Sequence, residues 1–181
     1  MSLRAIQNTV KYDIYRWLDE NFWPYVQKRF KNVQHTIDDI ISPIKISRYE
    51  KKSQYTYFAL LVPEYGLDEN ITWKQTHTFI GSKYILFIDE DMWIGFDGLR
   101  RNKKLASKKT TGLGFFYAFI ESTVENMFTI LARLQLRIEA IEQSIFRNLP
   151  NNDQISEIQN LKKNIINFKS TLLPICEVFS D

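Results

Sequence analysis

Three groups of carboxylates and one basic run hold most of the reactive chemistry of this 181-residue chain. Asp38 and Asp39 sit in Thr36-Ile37-Asp38-Asp39, a Thr-x-x-acid pattern that opens a short helix. Adjacent carboxylates at a helix start complement the positive end of the helix dipole. They also offer clustered oxygen to a hard divalent cation. The residues alone leave both readings open. Glu121 and Glu125 lie four apart, on one face of a long helical pattern. Like charges at that spacing repel by a few tenths of a kcal/mol, which solvent, a lysine or a bound cation offsets. Asp89-Glu90-Asp91 follows a strand pattern and reads as an exposed turn.

Arg100, Arg101, Lys103, Lys104, Lys108 and Lys109 form the dense basic run. It reads as a solvated helix face or as a contact for phosphate or anionic lipid. No aromatic side chains are interleaved with it, which argues against single-stranded nucleic acid. His35, His77 and Cys176 stand in no zinc or triad spacing, and there is no glycine-rich phosphate loop or nucleophile elbow. The chain therefore reads as non-enzymatic, with no catalytic residue and no prosthetic group.

The net charge of +3 is mild, and 44% hydrophobic with 14% aromatic residues is ample for a core. A single cysteine allows no internal disulfide and points to a reducing compartment. The longest apolar stretches, such as Tyr55 to Val62, fall far short of the ~20 residues of a spanning helix.

These residues must be positioned by two textures of chain. Up to residue 110, Val10-Tyr12-Ile14 alternates with polar neighbours as a half-buried strand does. Asn21 opens a short helix whose face is Val26, Phe30 and Val33, and Pro43 ends the helix carrying Asp38 and Asp39. Strands are expected at Ile44 to Tyr49, Tyr55 to Val62, Ile71 to Phe79 and Tyr84 to Ile88. Strands interleaved with helices predict an α/β domain with a mixed β-sheet and flanking helices over residues 4–110.

Residues 111–181 predict a long antiparallel helical hairpin. The first seam runs Phe116, Ile120, Val124, Met127, Leu131, Leu134, Ile138, Ile141 and Ile145, in steps of three and four. Asn148-Leu149-Pro150-Asn151-Asn152-Asp153 makes the turn. The second seam runs Ile155, Ile158, Leu161, Ile165, Phe168, Leu172, Ile175 and Phe179, and the expectation is a helix still in phase at Asp181, as in a fragment of a longer protein.

Tyr117-Ala118-Phe119-Ile120-Glu121-Ser122-Thr123-Val124-Glu125-Asn126-Met127-Phe128 resembles the phrase Tyr-x-x-(Ile/Leu)-Asp-x-x-Val-Asp-x-(Tyr)-Phe of the CorA family of divalent metal transporters. Glu121 and Glu125 stand where that family usually has Asp. Leu161-Lys162-Lys163-Asn164 through Leu173-Pro174-Ile175-Cys176-Glu177-Val178 is similar to its Leu-Lys-Arg-x-Leu and Pro-(Leu)-Arg-Glu-Val run, with Cys176 replacing the Arg. Phe30-Lys31-Asn32-Val33-Gln34-His35-Thr36-Ile37-Asp38-Asp39 resembles its Phe-x-(Leu/Ile)-His-x-Leu-x-x-Glu-Asp phrase. Together the matches span roughly residues 30–181.

The resemblance implies the cytoplasmic domain of a homopentameric membrane transporter, with a stalk helix and two membrane spans beyond Asp181. It implies that Asp38, Asp39 and Glu121 are one subunit's share of cation sites between subunits, binding Mg2+ or another divalent ion weakly in this fragment. The implied partners are further copies of the chain, the membrane and divalent cations, with no nucleic acid. The implied location is the cytoplasmic face of the cell membrane. A different class also accounts for the rods: a soluble coiled-coil scaffold or interaction protein with no metal role.

Overall fold

A computed structural model describes residues 11–16, 22–29, 35, 37–66, 69–81, 84–89, 112–147 and 152–180. Its elements run β1 (Lys11–Arg16), α1 (Phe22–Arg29), α2 (Ile37–Ile41), β2 (Arg48–Lys51), β3 (Tyr55–Tyr65), β4 (Ile71–Gly81), β5 (Tyr84–Asp89), α3 (Gly112–Arg147) and α4 (Asn152–Val178). The strands form one sheet in the order β1-β5-β4-β3-β2. β1 runs parallel to β5 and the other pairings are antiparallel, so the sheet is mixed, as the sequence predicts. Phe30, Val33 and the turn residues 148–151 fall outside the described residues, as does the whole basic run from Arg100 to Lys109.

Both faces of the sheet are apolar because both are covered. Tyr57 and Ala59 of β3, Phe79 of β4, and Leu86 and Ile88 of β5 form one core with Val26 of α1 and Ile40 of α2. The alternate residues Leu60, Val62, Ile80, Ile85 and Phe87 form a second core with Phe115, Phe116, Ala118 and Phe119 of α3. The period of two along each strand thus feeds two layers of helix.

Two strand limits differ from expectation, each for a local reason. β2 begins at Arg48 rather than Ile44. The Ile44 amide donates instead to Gln75 Oε1 at 3.0 Å, and Ser47 Oγ accepts the Leu61 amide at 3.0 Å, so side chains replace ladder pairing there. β3 continues past Val62 to Tyr65. β2 reaches only Thr56 to Ala59, so Pro63 occupies an edge position where its absent N–H costs no bond to a neighbour. Asp89, expected in an exposed turn, is fully buried at the end of β5, and Glu90 and Asp91 lie outside the described residues.

The hairpin is present, with α3 about 54 Å long from its 36 residues. Its seam is turned relative to the predicted one. Met127, Leu134 and Ile141 meet Leu161, Phe168 and Ile175, both rows at seven-residue spacing. Val124, Leu131 and Ile138, predicted inward, are exposed, while Phe119, Thr123 and Ile130 are buried. The cause is that α3 serves two surfaces at once. Its first turns must cover the sheet, which rotates the buried face one row towards Phe119. On α4, Ile155, Ile158, Ile165 and Phe179 are likewise exposed, and Asn164 takes an inner place.

α4 runs to Val178, and Asp181 lies outside the described residues. Its last turn tightens through Phe179 N–H to the Cys176 carbonyl (3.2 Å) and Ser180 N–H to the Glu177 carbonyl (3.0 Å). Among the described residues, no helix is long and apolar enough to cross a membrane.

Candidate functional site

Asp38 and Asp39 are exposed in the first turn of α2. That helix has only five residues, so its position depends on tertiary contacts rather than on helix propensity. Ile40 is its buried anchor. Gln75 of β4 staples it from below, donating from Nε2 to the Ile40 carbonyl at 3.2 Å while accepting from the Ile44 amide. The sheet therefore holds two carboxylates out towards solvent on a short, firmly anchored platform.

Glu121 is exposed on α3, as is Glu125 one turn on. α2 covers one face of the sheet and α3 the other, so the sheet stands between Asp38–Asp39 and Glu121. One chain does not bring the three carboxylates together. Among the described residues, no group of three or more His, Cys, Asp or Glu side chains is placed to hold a metal ion. A site using both ends would need oxygen from another molecule, because a hard divalent ion takes six or more ligands.

Sequence spacing gives no hint that His35 and His77 come together, yet they do, around Tyr57. His77 is wholly buried on β4, and its Nδ1 lies 2.7 Å from the Tyr57 hydroxyl. The His35 ring packs on the Tyr57 ring with centroids 3.9 Å apart, and its Nδ1 lies 3.1 Å from the Tyr55 hydroxyl. His35 Nε2 faces the Glu50 carboxylate at 3.5 Å, which Lys52 Nζ approaches to 2.9 Å. Burial lowers the pKa of His35 while Glu50 raises it, and the net shift is downward. Burial also brings His77 down to about 3, with the charge of Arg48 and of His35 pushing the same way. The Lys52 hydrogen bond keeps Glu50 below the usual carboxylate range. The alternation of Gln75, His77 and Phe79 along β4 is the sequence signal that could have placed His77 inside.

The exposed apolar row left by the turned seam lies against its counterpart on α4. Near the hairpin turn, Ile138, Ile145, Ile158 and Ile165 line an open cavity of about 430 Å³ over Ile141 and Leu161. At the sheet end, Val124, Met127, Leu172 and Phe179 line another of about 370 Å³. Both are walled by apolar side chains, with Glu142 and Lys162 at the rims of the first.

The comparisons with known proteins agree with this geometry. A family profile described as CorA-like Mg2+ transporter protein matches residues 20–181. The cobalt/magnesium transport protein CorA of Thermotoga maritima is 22% identical over 149 residues, which cover 80% of this chain and 42% of that protein. The chain thus spans less than half the length of that curated relative. The soluble domain of CorA from Methanocaldococcus jannaschii has a TM-score of 0.72 at 17% identity, over 97% of this chain and 72% of that one. The ZntB cytoplasmic domain from Vibrio parahaemolyticus gives 0.63 at 11% identity, over 95% and 68%. At such identities the structural likeness speaks for the fold, and the family profile, covering nearly the whole chain, speaks for descent. The chain belongs to the CorA-like Mg2+ transporter family.

Proposed function

We propose that this chain is the cytoplasmic regulatory domain of a CorA-like divalent cation transporter and has no enzymatic activity. In this reading Asp38, Asp39 and Glu121 are one subunit's share of sites that sense intracellular metal between subunits and gate a pore. The observation that carries it is the placement of exposed carboxylates on opposite sides of one sheet, where a single chain cannot close a cation site. Carboxylates that face each other across a subunit boundary repel until a cation neutralises them, so occupancy of the site biases the geometry of the boundary. Magnesium is the favoured ion, since oxygen-only ligands suit hard cations and the Thermotoga maritima relative is named for cobalt and magnesium.

Family membership supports the rest of the reading. The working protein is a homopentamer at the cell membrane, with this domain on the cytoplasmic side. The two open apolar cavities along α3 and α4 support the docking of a further helix, the stalk of such a transporter, over the row Val124, Leu131, Ile138 and Ile145.

Magnesium titration of this chain by calorimetry tests the sensing role. The expected affinity is millimolar or weaker, because the chain offers few of the six ligands such an ion wants. That heat should vanish in the double variant Asp38→Asn, Asp39→Asn. In the full transporter the same double variant should blunt the dependence of uptake on internal magnesium without abolishing uptake. Loss of uptake in a correctly assembled protein would place these residues on the permeation path instead. Unchanged regulation would return them to the plain role of helix-start carboxylates.

A further inference from the structure

The two buried histidines take no part in holding a cation, yet they meet at Tyr57 on the sheet face that α2, with Asp38 and Asp39, covers. We propose that His77 is a proton-operated latch: uptake of a proton at its ring releases α2 and the residues after it to Ile44 from the face of the sheet.

The argument is geometric. His77 is fully enclosed. Its neighbours across the ladder are Ala59 and Ile88, both apolar. The Tyr57 hydroxyl holds Nδ1. The Ile40 carbonyl on α2 favours the charged ring only weakly, and that oxygen already accepts from Gln75. The charged groups facing the histidine pair come from several elements. Arg48 on β2 and His35 above it oppose a positive charge on His77. Glu50 and Asp39 favour one on His35, and Lys52 opposes it. Tyr57 is held neutral by burial, with its own pKa pushed upward. Among the described residues no carboxylate bonds to His77 itself, so an imidazolium there has no counter-ion in contact while α2 is seated, and burial disfavours it.

Release of α2 takes Ile40, whose carbonyl lies by the His77 ring, off this face of the sheet and lets water reach that ring. In the open state His77 titrates near 6.5, and closed it is held at about 3. A proton that binds only the open state raises the opening constant by about 30-fold from about pH 7.5 to about pH 5. His35, also displaced downward when buried, acts in the same direction. Where the proposed cation role of Asp38 and Asp39 holds, proton and cation compete for one helix. The latch is tested without metal, so its failure and the failure of that role are separate results.

The test is amide hydrogen exchange across this pH range, with protection factors corrected for the intrinsic exchange rate. The reporters are Ser42, whose amide donates to the Asp38 carbonyl at 3.0 Å, and Ile44, whose amide donates to Gln75. Their protection should fall by about 30-fold or more on acidification, while the β4–β5 amides of Phe79 and Phe87 stay protected. His77→Asn keeps a polar atom near Tyr57 but does not titrate, so it should shrink the response to the share of His35. An unchanged response in that variant overturns the latch. So does loss of β4–β5 protection in step with Ser42, which would mean the whole domain opens. Should the variant not fold, the ring resonances of His77 in the unaltered chain decide. Titration of that ring near 6.5 with Ser42 and Ile44 still protected also overturns the proposal.

Discussion

Asn126 Nδ2 on α3 donates to the Pro63 carbonyl on β3 at 2.7 Å, a bond from helix to sheet that bridges residues far apart in the chain. It occurs where β3 has run past its β2 partner, so a side chain from the covering helix takes up a carbonyl at an edge position. Asn126→Ala removes the donor and with it this tie between α3 and β3. The expected cost is about 1 kcal/mol of unfolding free energy by urea denaturation. A cost near zero would show that water replaces the amide there.

The turned seam of the hairpin makes a paired prediction. Leu134→Asp places a lone carboxylate between α3 and α4, where Leu134 is only 2% exposed, and should cost several kcal/mol. Leu131→Asp, only three residues earlier but 43% exposed, should cost far less than 1 kcal/mol in this chain. Thermal melts of the two variants decide between the rotation seen here and the seam read from the sequence. Equal penalties would mean both rows are buried in solution, by self-association through the exposed row.

That pair also marks what the sequence could and could not say. Long helices without Gly or Pro, and strands with a period of two through Tyr57, Ala59, Phe79 and Leu86, are local signals and were legible. The rotation of α3 was not, because Val124, Leu131 and Ile138 are as apolar as Phe119 and Ile130. Only contact with Leu60 and Val62 on the sheet selects between the rows. The start of β2 was hidden for a similar reason, since the Ile44 amide is taken by Gln75, distant in sequence. At the candidate site, the capping pattern placed Asp38 and Asp39 correctly at a helix start. It could not reveal that the sheet separates them from Glu121, which depends on which face each helix covers.

Arg137 fastens the β3–β4 turn to the hairpin. Its Nη1 donates to the Glu69 carbonyl at 2.8 Å, its Nε lies 3.2 Å from the Glu69 carboxylate, and its Nη2 lies 3.4 Å from that of Glu157. Glu69 holds a positive φ of 61°, a conformation that a non-glycine residue adopts only when its surroundings fix it. Both carboxylates are well exposed, so solvent screens the ion pairs and the bond to the carbonyl dominates. Arg137→Met keeps the packing of the stem and should cost about 2 kcal/mol. The penalty should be nearly the same at low and high salt. A penalty that disappears at high salt would assign the stabilisation to the ion pairs instead.

Glu50 tunes the outer histidine of the buried pair, and the direction of its effect can be worked out. Burial pushes the His35 pKa below 6.5, and the Glu50 carboxylate opposes that push. Glu50→Gln keeps the size of the side chain but removes the charge, so the His35 pKa should fall further. A histidine whose folded pKa is depressed stabilises the fold while neutral. That stability is whole above about pH 6.5 and is lost progressively as pH falls towards the folded value. Deepening the depression therefore makes the variant more acid-sensitive between pH 6.5 and the new folded value, and leaves the contribution of His35 at higher pH unaltered. Glu50 itself is held low by Lys52, so its own contribution persists until the pH drops below the ordinary carboxylate range. Ring resonances of His35, followed by NMR in both proteins, check the shift directly. Movement of the His35 midpoint upward in Glu50→Gln would show that the carboxylate does not face the ring in solution.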